Sequence, residues 1–98
     1  MAKKTYQSTD GTSFHGVTIR ASVNQLTKAF GDPTIVDNTG DDKVNFEWDM
    51  ETDEGEVFAI YDWKYYRPLS SDETVTWHIG AKSKSDSNIA ERELLKAL

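Results

Sequence analysis

The sequence predicts an α+β fold, a small antiparallel sheet of three to four strands packed with two helices. Three observations carry this prediction. Val44, Phe46, Trp48 and Met50 alternate with Asn45, Glu47, Asp49 and Glu51, the period of two that marks a strand with one wet face. Two more apolar strand patterns, Glu56–Trp63 and Thr74–Ile79, follow over short links, so a meander is the default arrangement. Ser22–Phe30 and the C-terminal segment carry apolar stripes at helical spacing behind good capping residues.

Taken in order, residues 1–15 are polar and rich in Thr, Ser and Gly, and read as a flexible arm. Gly16–Arg20 alternates, with Val17 and Ile19 on one side, as a short edge strand does. The first helix is signposted at both ends. Ser22 and Gln25 form a capping box, and Gly31 followed by Asp32-Pro33 stops it. Thr34–Val36 is a brief strand, and Asp37–Asp42 is a turn by composition. Gly55 closes the hairpin that follows the alternating strand. In Glu56–Trp63, Val57, Ala59, Tyr61 and Trp63 share a face and Phe58 and Ile60 share the other; a strand apolar on both faces belongs at the centre of a sheet. Tyr61 and Trp63 are expected in the core, as is Trp77 in the last strand. Pro68 ends pairing in the Tyr65–Asp72 loop. Asn88, with Glu91 three residues on, is expected to cap the final helix. The element order is β-α-β-β-β-α, with residues 1–98 forming one domain.

Charge and composition narrow the function classes. The formal net charge of −6 repels nucleic acid at long range, which argues against direct nucleic-acid binding. The absence of cysteine excludes disulfides, thiolate nucleophiles and Cys-based zinc sites. No apolar run is long enough to span a membrane and no signal peptide is readable, so a cytoplasmic location is expected. No nucleophile elbow, P-loop, dinucleotide fingerprint or metal-ligand spacing occurs, so no enzyme activity, cofactor or metal is expected.

What remains is a surface for binding. Tyr61–Arg67 holds four aromatics, two cations and a carboxylate, and Trp77-His78-Ile79-Gly80 lies one loop away. Together these two knots are expected to make one surface. Within it Lys64, Tyr65, Tyr66, Arg67 and His78 are the candidate contact residues. Aromatic faces beside Arg and Lys suit stacking on a ring with contact to phosphate or carboxylate, and also suit a protein hot spot. An exposed aromatic loop would equally serve as a contact between copies of the chain, giving a homo-oligomer. A second candidate is acidic. Glu47, Asp49 and Glu51, at alternate strand positions, project from one face about 7 Å apart. That spacing roughly resembles a phosphate backbone and would suit a DNA-mimic inhibitor of a nucleic-acid-binding host enzyme.

A resemblance adds to this reading. Phe30-Gly31-Asp32-Pro33, Trp48, Gly55, Ile60-Tyr61-Asp62-Trp63-Lys64, Tyr66 and Trp77-His78-Ile79-Gly80 together resemble a group of small bacteriophage and virome proteins, over residues 11–98. The resemblance implies a phage or prophage origin and brings no catalytic role with it. Small phage accessory proteins often disable host enzymes or immunity. In that context the expected function is binding in counter-defence, by sequestering a nucleotide-like signal or by blocking a host immune protein.

Overall fold

A computed structural model describes residues 1–98. The chain forms β1 (Lys3–Lys4), β2 (Ser13–Ala21), α1 (Val23–Phe30), β3 (Ile35–Val36), β4 (Phe46–Glu51), β5 (Val57–Asp62), β6 (Val75–Ala81) and α2 (Lys84–Ala97). All strands join one antiparallel sheet in the order β1-β4-β5-β6-β2, with β3 pairing on β4 as well. The α+β class, the two helices and the β4-β5-β6 meander agree with the sequence. The sheet is larger than expected, with six strands rather than three or four. One strand that no sequence pattern suggested is β1, inside the segment expected to be a flexible arm. Lys3 and Lys4 pair with Glu51 and Met50, and Ala2 is buried in the core. Two lysines gave no apolar signal; the backbone ladder and Ala2 hold them.

Local chemistry explains the helices. Ser22 Oγ accepts from Gln25 N and Gln25 Oε1 accepts from Ser22 N, the expected capping box. Gly31 caps the C-terminus at φ 85°, a backbone that disfavours other residues. Helix α2 begins at Lys84 rather than after Asn88. Ser83 Oγ accepts from Asp86 N at 3.0 Å, and Ser87 Oγ donates to Ser83 O at 2.9 Å. The polar residues before Asn88 are thus the capped first turn of the helix.

One core unites the elements. Phe46, Trp48 and Met50 of β4, Phe58 and Ile60 of β5, and Val75, Trp77 and Ile79 of β6 lie on one sheet face. Ile19 and Ala21 of β2 extend that face, and Leu26 of α1 with Ala90 and Leu94 of α2 cover it. Both buried indoles are satisfied. Trp48 Nε1 donates to Gly31 O at 3.0 Å and Trp77 Nε1 to Ala21 O at 2.9 Å.

The register corrects one expectation. Met50 opposes Phe58 and Trp48 opposes Ile60, so Phe58 and Ile60 take the helix-covered face. Val57, Ala59 and Tyr61 take the other face, and Trp63, just past the strand, is 40% exposed rather than core. That other face has its own partial cover. Thr5 N donates to Asp49 O, beside β1 at one sheet edge, and the chain must then reach β2 at the opposite edge. It crosses on the helix-free face, where Thr9 and Thr12 come beside Glu47, Ala59 and Tyr61. Val57 and Ala59 on this face are buried. The ends of β5 and β6 nearest Trp63 and His78 remain open.

Candidate ligand-binding site

Asp62 organises the site from below. It is the one carboxylate on the core face of β5 and is fully buried. Its Oδ1 accepts from the backbone N of Asn45 and of Phe46, both at 2.8 Å, and its Oδ2 accepts from Asn45 Nδ2 at 2.9 Å. Asn45, also buried, carries the network onward. Its Nδ2 donates to Arg67 O at 3.0 Å and its Oδ1 accepts from Gly40 N at 3.1 Å. The chain entering β4 is thereby clamped to the chain leaving β5, and Lys64 N donates to Lys43 O at 2.8 Å. Lys64 and Tyr66 adopt φ 58° and φ 50°, left-handed conformations uncommon outside glycine. Such a backbone persists where its surroundings over-determine it. Gly40 completes the fit: at φ 80°, a Cβ there would lie 2.6 Å from Arg67 Cα.

On the open face above this clamp stands a cluster of rings. Phe14 stacks on His78 at 3.8 Å between centroids, with 13° between planes. Trp63 lies 6.1 Å beyond His78, tilted 27° to it, and Tyr61 stands edge-on to both, at 6.0 and 5.6 Å. Two ammonium groups attend the exposed indole: Lys43 Nζ lies 5.8 Å and Lys64 Nζ 5.7 Å from the Trp63 ring. Beside the rings opens a cavity of about 240 Å³, with Trp63, Tyr61 and Glu47 in its wall and Ala59 and Gly80 on its floor. Thr9 and Thr12 of the crossing segment and Ser13 of β2 add hydroxyls to its lining.

Glu47 gives the cavity an acidic end. Burial, then a hydrogen bond with Asp49 and that residue's charge, push its carboxyl up to about 7. Asp49 Oδ1 is shielded from water and has no protein donor. Tyr61, opposite Glu47 in the ladder, has its phenol raised by burial and by Glu47. Burial lowers His78, which favours a neutral imidazole in the stack.

The two aromatic knots do form one surface, but not through all the residues expected. Lys64 and His78 join the ring cluster. Tyr65 instead packs against the core, and its hydroxyl accepts from Thr76 N at 2.8 Å, just past the last β5–β6 pair. Arg67 lies over the Tyr65 ring and makes a bidentate pair with Glu73 at 2.7 and 2.9 Å. Its charge is already engaged within its own loop. Tyr66 is exposed. Glu47, Asp49 and Glu51 do share the helix-free face, but all three are half-buried rather than a solvated charge row. Sequence reasoning missed Trp63, Tyr61 and Phe14 as surface rings and Glu47 as a cavity group.

One serine and one histidine approach each other. His15 Nε2 lies 3.3 Å from Ser13 Oγ but also 3.0 Å from Ala81 O. The carbonyl requires that nitrogen to donate, so it is no base for the serine. No group of three His, Asp or Glu side chains converges as a metal site, and no helix is long and apolar enough to cross a membrane. No protein-family model matches the chain, and no curated protein or solved structure matches it either.

Proposed function

We propose that this chain is a phage-encoded accessory protein that acts by binding rather than catalysis, in the cytoplasm of an infected bacterium. Its ligand on this reading is a nucleotide-like small molecule, and its role is counter-defence by sequestering that signal. The observation that carries the reading is the exposed Trp63 ring between Lys43 and Lys64, at the mouth of a cavity. A planar ring can stack on the indole while the lysines take a phosphate. The cavity is smaller than the roughly 300–1,000 Å³ of sites for drug-sized ligands, which suits a single ring system with its phosphate outside.

A host protein is the other occupant of this binding reading, since exposed Trp63 and Tyr66 suit a protein contact. The DNA-mimic alternative draws no comparable support. A carboxyl near 7 at Glu47 leaves the acidic row short of charge at neutral pH. Thermal unfolding and tryptophan fluorescence with a panel of linear nucleotides, cyclic nucleotides and ADP-ribose-type ligands test the proposal. A binder raises the melting temperature by mass action and quenches Trp63. A panel without any shift rejects the small-ligand reading and leaves capture of a host protein to be measured.

A further inference from the structure

The site has two poles, and their order along the cavity carries information. The cationic pole, Lys43 and Lys64, lies outside, around Trp63. The acidic pole, Glu47, lies in the cavity wall, with Tyr61 opposite it in the ladder and Asp49 beside it on the same strand face. A nucleotide stacked on Trp63 with its phosphate toward the lysines presents the far edge of its base to Glu47. Once ionised, above about pH 7, the Glu47 carboxylate only accepts hydrogen bonds. It therefore discriminates among bases by what that edge donates.

Resting on the nucleotide reading above, we infer that the site selects a guanine-type base, whose adjacent ring N–H and exocyclic amino group are both received by the Glu47 carboxylate. Adenine and cytosine each offer one donor beside an acceptor nitrogen, which would face a carboxylate oxygen without a proton between them. Uracil offers a single N–H flanked by two carbonyls. A buried polar group left unpaired, or paired acceptor to acceptor, is what makes such discrimination steep. Asp49 is the charged group beside Glu47 on the same strand face, and no cation contributes to the titration of Glu47. The two N–H groups of the base supply the donors that an ionised Glu47 takes up.

Isothermal titration calorimetry at pH 8, where Glu47 is ionised, with 5′-GMP, AMP, CMP and UMP tests the inference on the intact chain, with Glu47→Gln and Trp63→Ala as variants. GMP is expected to bind the unmodified protein at least tenfold more tightly than the other three. Glu47→Gln replaces one acceptor with a donor, so it removes that preference or turns it toward AMP. Trp63→Ala weakens all four alike. Equal binding of the four nucleotides overturns the inference but leaves the nucleotide reading standing, as does a GMP preference unchanged by Glu47→Gln. If none of the four binds, the inference is overturned, and the nucleotide reading falls with it when the wider panel is silent too. Circular dichroism of each variant confirms that it is folded before its affinity is compared.

Discussion

The Tyr61 ring lies over Gly80, close enough that a Cβ at position 80 would sit 3.2 Å from Tyr61 Cε1. Gly80 has no positive φ, so its small size rather than its backbone freedom matters here. It lets Tyr61 lie down on the sheet, edge-on to both Trp63 and His78. Gly80→Ala is expected to push this ring by a few tenths of an ångström. Stability should change by no more than about 1 kcal/mol, because alanine recovers roughly 0.5–1 kcal/mol of the cost of glycine in a strand. Ligand affinity should nevertheless fall several-fold. Calorimetry beside a thermal melt separates the two effects; a variant that loses stability but keeps affinity would show that Gly80 serves the sheet alone.

The Asp62 clamp predicts a larger loss. Asp62→Ala strands two buried backbone N–H groups and the Asn45 amide. A buried donor left without a partner costs about 1–3 kcal/mol, so the variant should lose on the order of 3 kcal/mol or more. For a domain of this size that lowers the melting temperature by at least about 12 °C. Asp62→Asn should rescue only part of it: its amide oxygen can still accept from both backbone N–H groups, but its Nδ2 then faces the Asn45 amide donor to donor. A loss under about 1 kcal/mol would mean that water replaces the carboxylate and that the clamp is not what positions Lys43 and Lys64.

Asp62 also marks where the sequence was legible and where it was not. Strand positions, the meander and α1 followed from period, capping and turn chemistry. The phase of β5 did not. Its two faces read Val-Ala-Tyr-Trp and Phe-Ile-Asp, and by pattern the aromatic-rich one reads as core. A charge on the buried face is rare, and here it is bought by three hydrogen bonds from chain seventeen and sixteen positions away. No local pattern announces such a contact. The register of the hairpin, Met50 against Phe58, held the answer. It would have placed Tyr61 beside Glu47. The partner of Arg67 is out of reach of local pattern for a similar reason: Glu73 sits six positions on, across a loop whose path the sequence does not show.

Glu47 sets a pH dependence whose sign follows from its raised carboxyl. Between about 4.5, the ordinary carboxylate value, and about 7, the folded chain holds a proton that the unfolded chain has released. Stability therefore falls as pH rises through that window and is level, for this group, above it. Glu73 acts in the opposite sense and lower down. Arg67 holds its carboxyl at about 2, so its stabilisation is present above about 4.5 and is lost as pH falls toward 2. Chemical denaturation at pH 5, 6, 7 and 8 should show the decline, and Glu47→Gln should flatten it. A decline that survives in Glu47→Gln would assign the titration elsewhere.

Trp63 and Arg67 give the sharpest contrast between surface and scaffold, because they sit four residues apart in the same loop. Trp63 is 40% exposed and lies outside the core cluster, so Trp63→Ala should cost little stability, about 1 kcal/mol or less. It should abolish ligand-dependent fluorescence change and most of the affinity. Arg67 has its guanidinium committed to Glu73 and laid over Tyr65, which in turn holds the Thr76 N–H. Arg67→Ala should therefore loosen the loop, and Glu73→Ala should do the same. The double variant should be little worse than either single one, the mark of two residues sharing one interaction. Ligand affinity in these variants should drop only as far as the Lys64 backbone shifts. If Arg67→Ala removes binding while the melting temperature stays put, the phosphate contact belongs to Arg67, and the ligand lies on the Tyr65–Arg67 side of the loop rather than over Trp63.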